Sequence, residues 1–434
     1  MAYFNKGIET ISESKLKQIQ LDRLKKILDY VNKKVPFYNN LFEKNKINIH
    51  KLSSLDELKN IPFTLKKDLR ENYPFGLFAV DLSEVYEIHA SSGTTGKLTV
   101  VGYTKNDIKL WSEVMARSLV CAGVGKEDII QNAFGYGLFT GGLGIHYGAL
   151  KIGASVIPTS AGGTKRQLMI MQDFKSTVLT GTPSYALYMA EEAKSIGIET
   201  SKIPIRIGVF GAEPWSERMR KEIEKIWGIT ALDIYGLSEI IGPGIAQECE
   251  GKCGLHIWSD YFLPEIIDIN TENTLEEGKE GELVITTLTK EALPLIRYRT
   301  GDIVSINYQK CSACGRTFPR ISKIKGRIDD MLIIKGVNVF PSQVETVLLN
   351  ITEVAPHYQL VVTREKYLDK LQINVEITEE TFSDEVKKLE ELEKKVKKEI
   401  ESVIGIDVEV NLVEPKSIER STGKASRIID LRKI

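Results

Sequence analysis

The chain has 434 residues, 42% of them hydrophobic and 27% charged, with a formal net charge of -1. That length exceeds one ordinary core and predicts two or three domains. The composition is that of a soluble globular protein, and so balanced a charge offers no broad field for DNA or RNA.

Leu16, Ile19, Leu24, Ile27, Leu28 and Val31 recur at helical spacing and predict an opening amphipathic helix. Val85-Tyr86-Glu87-Ile88 reads as a strand leading into Ser91-Ser92-Gly93-Thr94-Thr95-Gly96-Lys97. Glycines let the backbone approach an oxyanion, and the hydroxyls, successive amides and lysine add donors. The spacing is not that of a Walker A loop, and a plain surface turn is the alternative for this loop taken alone. Phe134-Gly135-Tyr136-Gly137-Leu138-Phe139-Thr140-Gly141-Gly142 sets aromatic rings among glycines, which suits the walls of a flat apolar pocket or ordinary packing. Thr177–Thr180 and Ile205–Phe210 read as buried strands, each ending at Gly and Pro before a helical pattern. This is the rhythm of an α/β domain whose ligands sit at the carboxyl ends of strands. Gly281–Leu288 reads as a later strand of a β-rich subdomain.

Cys249, Cys253 and His256 share one segment, and Cys311-Ser312-Ala313-Cys314 follows. Five cysteines, four of them clustered, suit metal ligation in a reducing cytoplasm better than disulfides. Thiolates with one imidazole fit tetrahedral Zn²⁺; unligated thiols or an oxidised pair are the alternatives. No run of about 18 apolar residues could span a bilayer, and the N-terminus lacks a signal-peptide pattern, so a cytoplasmic location is expected. After residue 326 the composition shifts. Met331–Ile334 predicts a strand, and 371–376 and 406–412 alternate with period two. Val386, Leu389, Val396, Ile400 and Val403 mark one face of a Lys/Glu-rich helix, and together these predict a small α+β domain.

The phosphate-type loop is joined by Tyr235-Gly236-Leu237-Ser238-Glu239, Arg299-Thr300-Gly301-Asp302, Gly326-Arg327-Ile328-Asp329-Asp330 and Ser421-Thr422-Gly423-Lys424. This set resembles the adenylate-forming superfamily of acyl-CoA synthetases, luciferases and nonribosomal adenylation domains. Longer blocks at 72–80, 134–142 and 330–341 are similar to phenylacetate–coenzyme A ligases, and the likeness runs from about residue 15 to the C-terminus.

The resemblance implies an α/β adenylate-forming fold. Residues 1–326 would form a large domain with a β-rich subdomain, 327–331 a hinge centred on Asp329, and 332–434 a small mobile domain carrying the catalytic lysine. It implies ATP, coenzyme A and Mg²⁺, a small aromatic acid such as an arylacetate or indole-3-acetate, a homodimer, and a place in aromatic acid catabolism. No nucleic acid or membrane partner is expected. Lys424 would bridge the acid and the α-phosphate, with Lys66 and Thr94 as further phosphate contacts. Ser91, Ser92, Gly93, Thr94, Thr95, Gly96 and Lys97 would cradle the phosphates. Gly211-Ala212-Glu213-Pro214, Asp233, Ile234, Tyr235, Gly236, Leu237 and Ser238 would border the base, Asp302 would accept from the ribose, and Arg327 would donate to ribose or phosphate. Glu239 would hold Mg²⁺. Tyr136, Phe139, Gly141, Ala212, Ile240 and Pro243 would line the acid pocket. Alignment with ligated relatives favours Cys249, His256, Cys311 and Cys314 for a structural zinc, with Cys253 spaced well enough to replace Cys249 or His256. His89 and His146 read as structural histidines, since an ionised carboxylate needs no general base.

Overall fold

The computed structural model describes residues 2–91, 98–328, 332–334, 337–365, 368–382, 386–420 and 427–432. They form two compact units, one of residues 1–181, 201–212 and 229–323, the other of 182–200, 213–228 and 324–434. The expected opening helix is Glu13–Lys34, burying Leu16, Leu24, Ile27, Leu28 and Val31, with Ile19 half-buried.

A nine-stranded sheet organises the first unit. From one edge its strands are Ile306–Asn307, Arg320–Ile321, Leu255–Ile257, Gly242–Glu248, Thr230–Leu237, Ile207–Gly211, Val178–Gly181, Ile129–Asn132 and Ser155–Ile157. The last five run parallel, and the pairing turns antiparallel at Thr230–Leu237 with Gly242–Glu248. Val178–Gly181 and Ile207–Gly211 are buried throughout, which explains why they read as continuous apolar runs rather than alternating ones. Thr104 caps the helix Lys105–Cys121 reciprocally with Asp107. Helix Gly141–Ile152 approaches this helix so closely that a Cβ on Gly148 would lie 2.7 Å from Met115 Cβ. Phe262–Ile267, Gly281–Thr287 and Tyr298–Val304 form a separate antiparallel ladder, the β-rich part expected around 281–288.

In the second unit, Val354–Glu365 lies antiparallel to Leu368–Ile377 and parallel to Ile428–Asp430, while Leu368–Ile377 runs parallel to Glu409–Val413. Helix Val386–Ile404 seals the small core through Leu392, Val396, Ile400 and Ile404. The expected face needs one correction: Val403 is 51% exposed, because the stripe continues from Ile400 by four residues to Ile404.

Two buried ion pairs anchor the chain on either side of residues 421–426. Glu376, 1% exposed, takes Arg420 in a fork at 2.7 and 2.8 Å and the amides of Lys416 and Ile418. Arg427 pairs with Glu345 and lies over the Tyr358 ring, 4.7 Å from its centroid, within cation–π reach. Removing one partner of a buried pair strands the other, at about 3–5 kcal/mol, whereas an exposed pair contributes about 0–1 kcal/mol. Glu376→Ala is therefore expected to destabilise the second unit by about 3 kcal/mol in denaturant unfolding. Lys17→Ala, which breaks the exposed Lys17–Glu13 pair, should change stability by less than about 0.5 kcal/mol.

Candidate functional site

Strand Thr230–Leu237 carries Asp233, Ile234, Tyr235, Gly236 and Leu237 in the first unit, and Ser238–Ile241 form the turn to its antiparallel partner. The register shifts between Tyr235 and Gly236, opposite Gly244 with φ of 94°. Gly236 admits no side chain, since a Cβ would sit 2.2 Å from Gly242 O. The neighbouring strand ends at Gly211, where a Cβ would sit 2.2 Å from Ile234 O, and Ala212 follows at φ 70°. Such left-handed backbone is uncommon for a residue with a Cβ.

Asp302 comes from the other ladder. The register of Tyr298–Val304 against Gly281–Thr287 shifts between Glu282 and Val284, and Gly301 (φ 78°) gives its amide to Glu282. Bulges re-aim side chains, and this one sets Asp302, 2% exposed, against Tyr235, whose hydroxyl donates to Asp302 Oδ2 at 2.7 Å. Ser91 ends strand Val85–Ser91, and its hydroxyl faces Glu239 Oε1 at 3.4 Å. Lys66 opens helix Lys66–Glu71, whose lead-in residue Thr64 exchanges backbone hydrogen bonds with Arg297 and Arg299 on the way to Asp302. Of the expected site residues, Ser91 thus meets Glu239, and Tyr235 meets Asp302. Glu213, Pro214 and Arg327 belong to the second unit, where Glu213 accepts the Ser184 amide at 2.8 Å. Ser92–Lys97, Asp329 and Lys424 lie outside the described residues.

The aromatic–glycine segment is folded around Asn132 at the end of strand Ile129–Asn132. The Asn132 amide donates to Tyr136 Oη at 2.7 Å and Gly142 O at 2.8 Å, and its carbonyl accepts from Phe134 N. With its lone pair so engaged, the Tyr136 hydroxyl donates to His146 Nδ1 at 3.2 Å. Burial pushes Tyr136 up to about 12, against the opposing Asn132 bond, and lowers His146; both stay neutral at pH 7. A Cβ on Gly142 would meet Gly135 O at 2.7 Å, and Gly141 packs on the Phe134 ring. Phe139 is 53% exposed, Ile240 is buried and Pro243 is half-buried. The Thr140 and Ser238 hydroxyls share a hydrogen bond of 3.1 Å, tying this segment to the Glu239 turn. His89 Nδ1 lies 3.1 Å from Leu138 O, and the Ala90 amide bonds the same carbonyl, so strand Val85–Ser91 is tied to the segment too.

Three residues that sequence reasoning passed over stand behind the turn. Lys290, Tyr103 and Trp111 are fully buried and direct their donors at its backbone. No spacing pattern marks them. Burial draws the Lys290 ammonium down to about 8, with Asp107 and Glu239 opposing that shift.

A second cluster gathers Cys249, His256, Cys311 and Cys314, all buried, with ligand atoms within 4.8 Å of one another. Cys249 Sγ lies 4.0 Å from Cys311 Sγ, and Cys314 Sγ lies 3.3 Å from His256 Nε2. A tetrahedral zinc with bonds near 2.3 Å needs ligands roughly 3.5–3.8 Å apart, so this donor set fits with slight adjustment. Hydrogen bonding to Cys249 and then to His256 pulls the Cys314 thiol far down, and His256 brings Cys311 down to about 7. Cys253 is exposed, with Sγ 3.4 Å from Cys311 Sγ. The N-terminal segment wraps this knuckle: the Tyr3 hydroxyl donates to Cys314 O, and Arg316 pairs with the buried Glu9 at 2.7 Å.

Comparison with known proteins shows the family. The family model for AMP-binding enzymes matches residues 18–289, and that for the AMP-binding enzyme C-terminal domain matches 336–432. A phenylacetate-coenzyme A ligase of Thermus thermophilus is 50% identical, over 98% of this chain and 99% of that protein. One from Escherichia coli is 48% identical, over 98% and 97%. Among solved structures, a 2-hydroxyisobutyryl-CoA ligase in the postadenylation state, in complex with R3-HIB-AMP, is 28% identical; it aligns with a TM-score of 0.92, over 99% of this chain and 92% of that one. Among the described residues no helix is long and apolar enough to cross a membrane.

Proposed function

The chain belongs to the AMP-binding enzyme family, within its phenylacetate–coenzyme A ligases, and from that premise we propose that it joins an arylacetate to coenzyme A at the expense of ATP. The observation that carries this reading is the meeting of Tyr235 with Asp302 and of Ser91 with Glu239 around one strand and its turn.

In the first half-reaction a carboxylate oxygen of the acid attacks the α-phosphorus of ATP. An acyl–phosphate bond forms, the bond to the bridging oxygen breaks, and pyrophosphate leaves. In the second, the sulfur of coenzyme A attacks the acyl carbon as its proton departs, and AMP leaves. Ser91 and the following loop through Lys97 receive the phosphates, with Thr94 among their donors. Tyr235 presents its ring to the adenine, bordered by Gly211-Ala212-Glu213-Pro214, Asp233 and Ile234. Asp302, steadied by the Tyr235 hydroxyl, accepts from the ribose, and Arg327 donates to ribose or phosphate. Glu239 would hold Mg²⁺, which when bound neutralises phosphate charge; a hard cation prefers such carboxylate oxygens. Lys424, assisted by Lys66, sets a positive charge between the two anions, the electrostatic role that oriented cations play at transferring phosphoryl groups. Tyr136, Phe139, Gly141, Ala212, Ile240 and Pro243 hold the ring of the acid.

Residues 1–326 serve as the nucleotide-binding domain and 332–434 as a mobile domain turning at 327–331, with Asp329 as its pivot. One pocket can then serve two chemistries in turn. Zinc on Cys249, His256, Cys311 and Cys314 is structural, because four protein ligands leave no position for water. A reducing cytoplasm keeps those thiols available.

Incubation with ATP, coenzyme A and a panel of phenylacetate, indole-3-acetate and acetate should yield AMP and an arylacetyl-CoA in equal amounts, with acetate the poorest substrate. AMP without thioester would point to an enzyme that uses another acyl acceptor, and silence from every aromatic acid would refute the reading. Protein purified without chelator should hold about one zinc per chain by elemental analysis. Cys311→Ser should lose that zinc and melt at a lower temperature, while zinc-free parental protein of unaltered stability would contradict the assignment.

A further inference from the structure

The turn Ser238–Ile241 and the opening of the strand after it are held from behind by three side chains. Lys290 Nζ donates to Ile240 O at 2.9 Å, the Tyr103 hydroxyl to Ile241 O at 3.0 Å, and the Trp111 indole N–H to Pro243 O at 3.0 Å. The turn carbonyls of Ile240 and Ile241, and that of Pro243 just inside the next strand, take donors from elsewhere in the fold: from strand Thr99–Thr104, helix Lys105–Cys121 and the segment after Gly281–Thr287. The three also pack on one another. The Lys290 ammonium lies 4.4 Å from the Tyr103 ring centroid, and Tyr103 stacks on Trp111 at 4.9 Å with planes 14° apart. On its front the same turn meets Ser91 through Glu239 and Thr140 through Ser238.

A hydrogen bond to Ile240 O alone needs no charge, as Tyr103 demonstrates one residue along. Burying an ammonium carries a desolvation cost that a neutral donor avoids. What the ammonium adds is a positive charge that faces Asp107 first and Glu239 second; Asp107 also takes the amides of Thr104, Glu291 and Ala292. Glu239, the carboxylate of the turn, stands one residue before the Ile240 carbonyl that Lys290 holds, and so shares in that charge beside Asp107.

We infer that Lys290 is a positioning residue for the ligase reaction: with Tyr103 and Trp111 it fixes the turn that offers Glu239 to the phosphates and Ile240 and Pro243 to the acid. This rests on the proposed roles of those three turn residues.

The test is steady-state kinetics of the full chain with phenylacetate, following AMP release while phenylacetate and MgCl₂ are varied in turn. Lys290→Met keeps the length and the packing on Tyr103 but removes donor and charge. The expected result is a rise of about tenfold in both the KM for phenylacetate and the Mg²⁺ half-saturation, with a smaller change in kcat. A purely structural residue would lower the melting temperature and the active fraction only. Both constants within about twofold of the parent would overturn the proposal, whatever the melting temperature. Should Lys290→Met fail to accumulate as folded protein, Tyr103→Phe decides. It keeps the ring, loses one donor, and should raise the KM for phenylacetate about threefold; a parental KM there would overturn the proposal. Glu239→Gln separates the two readings. A parental Mg²⁺ dependence in that variant would remove the role given to Glu239, and the phenylacetate KM of Lys290→Met would then decide alone.

Discussion

Two anions must meet for this reaction to begin, and that repulsion is the constraint on the site. Two like unit charges 4 Å apart repel by about 1 kcal/mol in water and about 4 kcal/mol at the effective dielectric near a protein surface. A pocket that excludes water from an aromatic acid therefore magnifies the repulsion unless it supplies compensating charge. The groups we propose for that task are few: a hydroxyl- and glycine-rich loop after Ser91, Lys66 at the head of a helix, Glu239 for a divalent cation, and Lys424.

Placing those groups depends on irregularities in otherwise regular ladders. The sheet changes from parallel to antiparallel at Thr230–Leu237, so the chain must turn back directly after Leu237, and that turn carries Glu239 and Ile240 of the proposed site. A register shift beside Gly236 and another beside Glu282 aim Tyr235 and Asp302 at each other from separate sheets. Without the Gly301 bulge, regular alternation along Tyr298–Val304 would assign that side chain by pleat alone.

Much of this was legible in the sequence. Tyr235, Glu239 and Asp302 sit in motifs whose glycines mark the bends the backbone makes, and Cys249, His256, Cys311 and Cys314 announce themselves by residue type. In the helix of the second unit only the last residue of the expected face departs from it, because Val403 and Ile404 satisfy spacings of three and four equally well, and only packing chooses. Lys290, Tyr103 and Trp111 could not be read at all. Their partners lie 50, 138 and 132 residues away, and Thr289-Lys290-Glu291 looks like any polar turn. Helices Pro183–Ser195 and Glu217–Trp227 follow their strands in the rhythm of one domain, yet they group with the C-terminal residues. Strand–turn–helix spacing records adjacency along the chain and is silent about that grouping.

The pairs Arg420–Glu376 and Arg427–Glu345 hold the chain on both sides of the segment that carries Lys424, and we propose that this lysine serves the first half-reaction. The direct measurement is exchange of labelled pyrophosphate into ATP in the presence of phenylacetate, beside conversion of synthetic phenylacetyl-adenylate to thioester. In Lys424→Ala, exchange should fall at least about a hundredfold, with thioester formation from the adenylate largely kept. Exchange at the parental rate in that variant would contradict it.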